Sequence, residues 1–97
     1  MPTYLALMRW TKEGLEKVKE SPSRLAAGKK AIEAAGGKVM SFYMLMGEYD
    51  MALVVEAPDD ETLARISLSL AASGRTRSET HRAFTEDEFR KIISSLP

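Results

Sequence analysis

Residues 46–60 read MGEYDMALVVEAPDD, and the fold turns on them. Gly47-Glu48-Tyr49-Asp50 has the chemistry of a tight turn. It offers a glycine free to take a left-handed backbone and an aspartate able to accept turn amides. Met51 to Ala57 is a mostly apolar run bounded by turn residues, as a central strand requires. Pro58-Asp59-Asp60 opens a helix, with Asp59 as N-cap and Asp60 and Glu61 complementing the positive helix end. One stretch thus closes a hairpin and launches a helix.

Upstream, Lys38 to Met46 (KVMSFYMLM) supplies the other arm of the hairpin. Strict alternation places Met40, Phe42, Met44 and Met46 on one side and Val39, Ser41, Tyr43 and Leu45 on the other. Before it, Gly36-Gly37 stops a helical region. The apolar stripe of that region, Leu15 and Val18, resumes at Leu25, Ala26 and Ile32. Thr11 caps its start. Ser21-Pro22-Ser23 interrupts it, so Ser21 reads as a second N-cap and the region as a kinked or two-piece helix. Thr3 to Trp10 (TYLALMRW) is the first strand. Leu5 and Leu7 share one side and Tyr4, Ala6, Met8 and Trp10 the other. Neither side is polar, so both should face something apolar.

Downstream, Leu63, Ile66 and Leu70 are the buried stripe of the helix opened at Asp59, and Gly74 is its stop. Arg75 to Phe84 is polar but alternates, as a charged edge strand does. Thr85-Glu86-Asp87-Glu88 is a capping box that opens a short last helix, with Phe89, Ile92, Ile93 and Leu96 as its apolar side. The order β-α-β-β-α-β-α, with right-handed crossovers around a central hairpin, predicts an α+β fold. It is the ferredoxin-like βαββαβ(α) sandwich: a four-stranded antiparallel sheet with helices on one face, in one domain spanning 1–97. The second sheet face stays open unless another chain covers it.

Bulk composition narrows the function. The chain has 97 residues, 44% hydrophobic and 29% charged, the balance of an ordinary globular domain. Fourteen basic residues match fourteen acidic ones, so net charge gives no nucleic-acid signature. There are no cysteines, which removes thiol chemistry and cysteine metal sites and fits a cytoplasmic location. No apolar run approaches the ~20 residues that span a bilayer. Met1-Pro2-Thr3-Tyr4 lacks the basic-then-apolar form of a secretory leader.

Several segments taken together resemble the GYD domain family. They are Met1-Pro2-Thr3-Tyr4, Ser21-Pro22 with Arg24-Leu25, Gly36-Gly37-Lys38-Val39, Phe42-Tyr43, Gly47-Glu48-Tyr49-Asp50, Val55-Glu56-Ala57-Pro58-Asp59-Asp60 and Ala83-Phe84-Thr85-Glu86-Asp87-Glu88-Phe89. The resemblance implies a dimeric α+β barrel type of domain and brings no reaction with it. The name-giving residues match Gly47, Tyr49 and Asp50. His81 departs from the pattern, since an apolar residue is expected there.

Three groups of residues are candidates for chemistry. Tyr49 and Asp50 in the Gly47-Glu48-Tyr49-Asp50 turn are either turn-formers or a proton-handling pair at a pocket mouth. His81, the only histidine, has no Cys or second His to share a metal, so no metal site is expected. It is a possible general base or an exposed strand residue. Tyr43, Ser41, Tyr4, Trp10 and Glu56 are expected mostly on the face away from the helices, where rings with a few polar groups suit a small-molecule pocket or a polar-studded interface. Arg9, Arg65, Arg75, Arg77 and Arg82 are weaker candidates for an anion site. No GxGxxG, P-loop or nucleophile elbow is present, and no cofactor is expected. The leading expectation is a cytoplasmic homo-oligomer that self-associates through the open sheet face and holds a small organic or anionic ligand there. The alternatives are a structural assembly domain and a cofactor-free monooxygenase- or isomerase-like enzyme.

Overall fold

A computed structural model describes residues Met1–Pro97. The elements are β1 (Thr3–Trp10), α1 (Lys12–Glu16), a 3-10 turn (Val18–Glu20), α2 (Ser21–Ala34), β2 (Lys38–Met44), β3 (Met51–Glu56), α3 (Asp60–Ala71), β4 (Thr76–Ala83) and α4 (Glu86–Ser94). The four strands form one sheet in the order β2-β3-β1-β4, and every neighbouring pair is antiparallel. This is the ferredoxin-like α+β topology expected from the sequence, with β3 and β1 inside and β2 and β4 at the edges.

Two helices, α2 and α3, cover one face of the sheet. The core between them is Tyr4, Ile32, Leu53, Val55, Ala57 and Leu63, with Ala6, Met8, Leu25, Val39, Phe42 and Ile66 packed around it. Only 8 of 97 residues are buried, so this core is thin. Three of the caps behave as the sequence foretells. Asp59 accepts from the Thr62 amide at 2.8 Å, and Thr85 and Glu88 form a reciprocal capping box. Thr11 likewise accepts from the Gly14 amide.

Four expectations need correction. Tyr4 and Trp10 lie on the helix side of the sheet, because Tyr4 pairs with Val55 in the register and Trp10 follows it at even spacing. Val39 also lies on that side. A bulge between Val39 and Ser41 inserts Met40 as an extra residue, so the alternation of β2 slips and Val39 joins Phe42 against the core. Ser21 is the first residue of α2 rather than its cap. Glu20 occupies the cap position without a side-chain bond, while Pro22 sits in the first turn where its missing N–H costs nothing. Finally, Leu15 and Val18 are 55% and 38% exposed, because α1 buries Gly14 rather than Leu15 and Val18 falls in the 3-10 turn.

α4 stands apart. It has no buried residue, and Phe89, Ile92, Ile93 and Leu96 are 56%, 44%, 51% and 62% exposed. The molecule measures 52 × 31 × 18 Å, and its 14.6 Å radius of gyration exceeds the ~13 Å of a compact domain this size.

Candidate functional site

The sheet face away from α2 and α3 carries the candidate site. The register puts Leu5 beside Val54 and Leu7 beside Ala52, with Ser41 and Tyr43 opposite Val54 and Ala52 on the outer strand. These side chains make an apolar strip across three strands, with Tyr43 64% exposed at its edge. Glu56 lies at the end of the strip opposite Thr3. On β4 the same face presents Arg77, Glu79 and His81, opposite Arg9, Leu7 and Leu5 respectively.

The Gly47 turn folds back over this face. Gly47 has φ +127°, a backbone setting that disfavours any residue with a side chain. The turn is closed by the Leu45 amide donating to the Asp50 carbonyl at 2.7 Å. Asp50 does more than close its own turn. Its amide donates to the Met8 carbonyl, and its carboxylate accepts the Trp10 amide at 2.9 Å. It thus ties the β2–β3 turn to the exit of β1 and is spent on structure. Glu48 and the turn carbonyl hold Arg9, through a 2.9 Å ion pair and a 2.8 Å bond from Arg9 Nε.

That grip leaves the Arg9 guanidinium 4.5 Å above the Tyr49 ring, a cation–π contact. The Tyr49 hydroxyl donates toward both carboxylate oxygens of Glu79 at 3.3 Å, and His81 Nε2 lies 2.6 Å from Glu79 Oε2. The fold therefore joins two sequence candidates, Tyr49 and His81, through a third residue. Glu79 is the link that sequence reasoning missed. Its only signal was its period-two spacing from His81 on an edge strand. Loss of solvent around its hydroxyl, then the Glu79 charge, raises the Tyr49 phenol above its ordinary value. The bond from His81 chiefly holds the Glu79 carboxyl below the usual range, with the Tyr49 bond adding to it. The cluster thus stores a protonated phenol and an ionised carboxylate side by side, an arrangement that presents both a donor and an acceptor.

The other candidates go elsewhere. Tyr4 is buried, and its hydroxyl donates to Asp60 Oδ1 at the start of α3. Burial first, and that bond second, push its pKa up to about 12. Trp10 lines a cleft on the helix side. The arginines form no single cluster: Arg9 lies opposite Arg77 but pairs with Glu48, while Arg75 pairs with Glu20 and Arg82 with Glu88. No three of the His, Asp and Glu side chains come together as metal ligands.

The GYD domain model matches residues 4–93. The chain belongs to the GYD domain family. This GYD domain is 36% identical over 84 residues, 86% of its length, to a Thermus thermophilus protein named "Glutamine synthetase and cystathionine beta-lyase binding protein", and covers 88% of that relative. Among solved structures it is similar to TTHA0845 from Thermus thermophilus, at 28% identity and TM-score 0.53, covering 88% of this chain and 95% of that one. It is also similar to MtbAldR, at TM-score 0.67 over 88% of this chain. At 16% identity that likeness concerns the fold alone, and the chain spans about half, 54%, of the length of MtbAldR. No helix of the GYD domain is long and apolar enough to cross a membrane.

Proposed function

We propose that this GYD domain is a cytoplasmic binding module that self-associates through its open sheet face and holds a small organic or anionic ligand, or a partner protein, at the rim of that face. The observation that carries this reading is the strip Leu5, Leu7, Ala52, Val54 and Tyr43 on the face away from α2 and α3, with Tyr43 exposed and the other four half-buried. Apolar strips rimmed by polar groups mark association surfaces. The Arg9, Tyr49, Glu79 and His81 cluster forms such a rim, with donors and acceptors already aligned. The name of the Thermus relative, a binding protein for two enzymes, supports a partner protein as an occupant. A chain without cysteine suits a reducing compartment.

Analytical ultracentrifugation over a wide concentration range tests the reading. A dimer or larger species is expected at micromolar concentration, and Leu5→Glu and Tyr43→Glu are expected to return it to monomer. A well-behaved monomer at the highest concentration defeats the proposal. Purified glutamine synthetase is the first protein probe to offer to the assembled form.

A cofactor-free enzyme has one observation in its favour, the Tyr49–Glu79–His81 contact. It has less support than binding, because Glu79 and His81 are half exposed and no wall of this chain excludes water from them.

A further inference from the structure

The helix side of the sheet is incompletely filled. Between the amino-terminal half of α2 and the sheet lies a cleft of about 100 Å³. Trp10 and Met51 form its apolar floor, and Leu25 and Leu70 its walls. Lys17, Arg24, Lys29 and Arg75 also line it, and no acidic residue does. Lys17 approaches Glu13 at 3.7 Å and Arg75 pairs with Glu20 at 3.0 Å, so two of these cations are answered within the chain. Arg24 and Lys29 have no ion-pair partner. At helical spacing they flank the stripe Leu25, Gly28 and Ile32 that faces the cleft.

Gly28 adds an independent observation. Glycine is among the least favourable residues for a helix interior, and Gly28 sits in the middle of the 14-residue α2. A Cβ built there would meet nothing within 4 Å, so packing inside the chain does not demand a glycine. What the missing side chain does is leave the cleft open. An apolar cavity of about 150 Å³ holds a benzene ring. This cleft is smaller, about 100 Å³, but open at its mouth, so a short aliphatic chain or one ring can extend beyond it.

We infer that the cleft binds a small organic carboxylate, with its short aliphatic or single-ring body on Trp10 and Met51 and its charge at the cationic rim. The site is on the opposite side of the sheet from the open face, so it stands or falls separately from the proposed function. Charge complementarity selects the head group, and the uncharged floor selects against a bare inorganic anion.

Trp10 is the only tryptophan of the chain, so its fluorescence reports on the cleft directly. The full chain is titrated with benzoate and isovalerate, with benzyl alcohol and inorganic phosphate as probes of body alone and charge alone. Saturable change is expected with at least one carboxylate, and markedly weaker change with benzyl alcohol and phosphate. The double variant Arg24→Gln with Lys29→Gln should bind about tenfold more weakly, the loss expected for two exposed charge-assisted contacts. Gly28→Leu should fill the cleft and abolish binding while the melting temperature holds or rises. The inference is overturned if neither carboxylate saturates, if phosphate binds as well as they do, or if the double variant retains full affinity. Arg24 and Lys29 are exposed, so that arm stays decisive even where Gly28→Leu impairs folding.

Discussion

Removing one oxygen from the core should delete a pH dependence of stability that a single phenol supplies. Tyr4 is 4% exposed, its ring belongs to the core, and its hydroxyl donates to Asp60. Tyr4→Phe keeps the ring and deletes that bond. Asp60 lies at an exposed helix end and regains water, so the loss sits at the low end for a charged acceptor, about 1.5 kcal/mol. For a domain of this size that lowers the melting temperature by about 6–12 °C. Burial and the Asp60 bond raise the Tyr4 phenol from its ordinary 10.0 to about 12. The unfolded chain gives up this proton near pH 10, while the folded chain keeps it until near pH 12. The folded state therefore binds more protons in that window, and stability falls as pH rises through it. The contribution is whole below pH 10 and spent above pH 12, and the phenylalanine variant never has it. Urea unfolding of both proteins at pH 8 and at steps from pH 10 to pH 12 provides the assay. The gap seen at pH 8 should close part-way through the upper steps and reverse by pH 12, because raising the phenol from 10.0 to about 12 outweighs about 1.5 kcal/mol. Equal midpoints at pH 8, or a gap that stays constant to pH 12, would refute the account.

Other changes test other parts of the structure. Gly14→Ala would set a Cβ 2.0 Å from the Arg75 carbonyl oxygen, and should cost about 3 kcal/mol in chemical denaturation, the upper end for overpacking. Gly47→Ala meets no atom within 4 Å, so only the strain of φ +127° remains, about 1–3 kcal/mol by the same measurement. Thr85→Ala removes the cap of α4 and should cost about 1 kcal/mol of helix stability, read as lost circular dichroism at 222 nm. The bond from His81 holds the Glu79 carboxyl below the ordinary range, so its contribution is present at neutral pH and fades as pH falls through that lowered value. His81→Ala should make the acid limb of the stability profile shallower, and an unchanged limb would sever the link between the two residues.

Much of the fold was legible because its signals were local. The Gly47 turn, the Asp59 cap and the Thr85 to Glu88 box are each written within a few residues. The facing of the strands was not. β1 is apolar on both sides, so alternation divided Tyr4 and Trp10 from Leu5 and Leu7 without saying which set meets the helices. In β2 the extra residue Met40 broke the period that would have placed Val39. The site was half legible: Tyr49 and His81 stood out as residue types, but Glu79 joins them only through a register linking segments 30 residues apart. The cleft beside Gly28 escaped because Ser21-Pro22-Ser23 marks where the helical region divides but not how its second part sits over the sheet.

The exposed apolar side of α4 has a consequence for how this segment folds. Nine residues fall short of the ~12–15 at which an isolated helix holds its shape in water. With no core of its own chain beneath Phe89, Ile92 and Ile93, the winding of this tail is tied to whatever sits against it. Helical content should therefore climb on concentrating the protein, as the tail gains a neighbour and stops fraying.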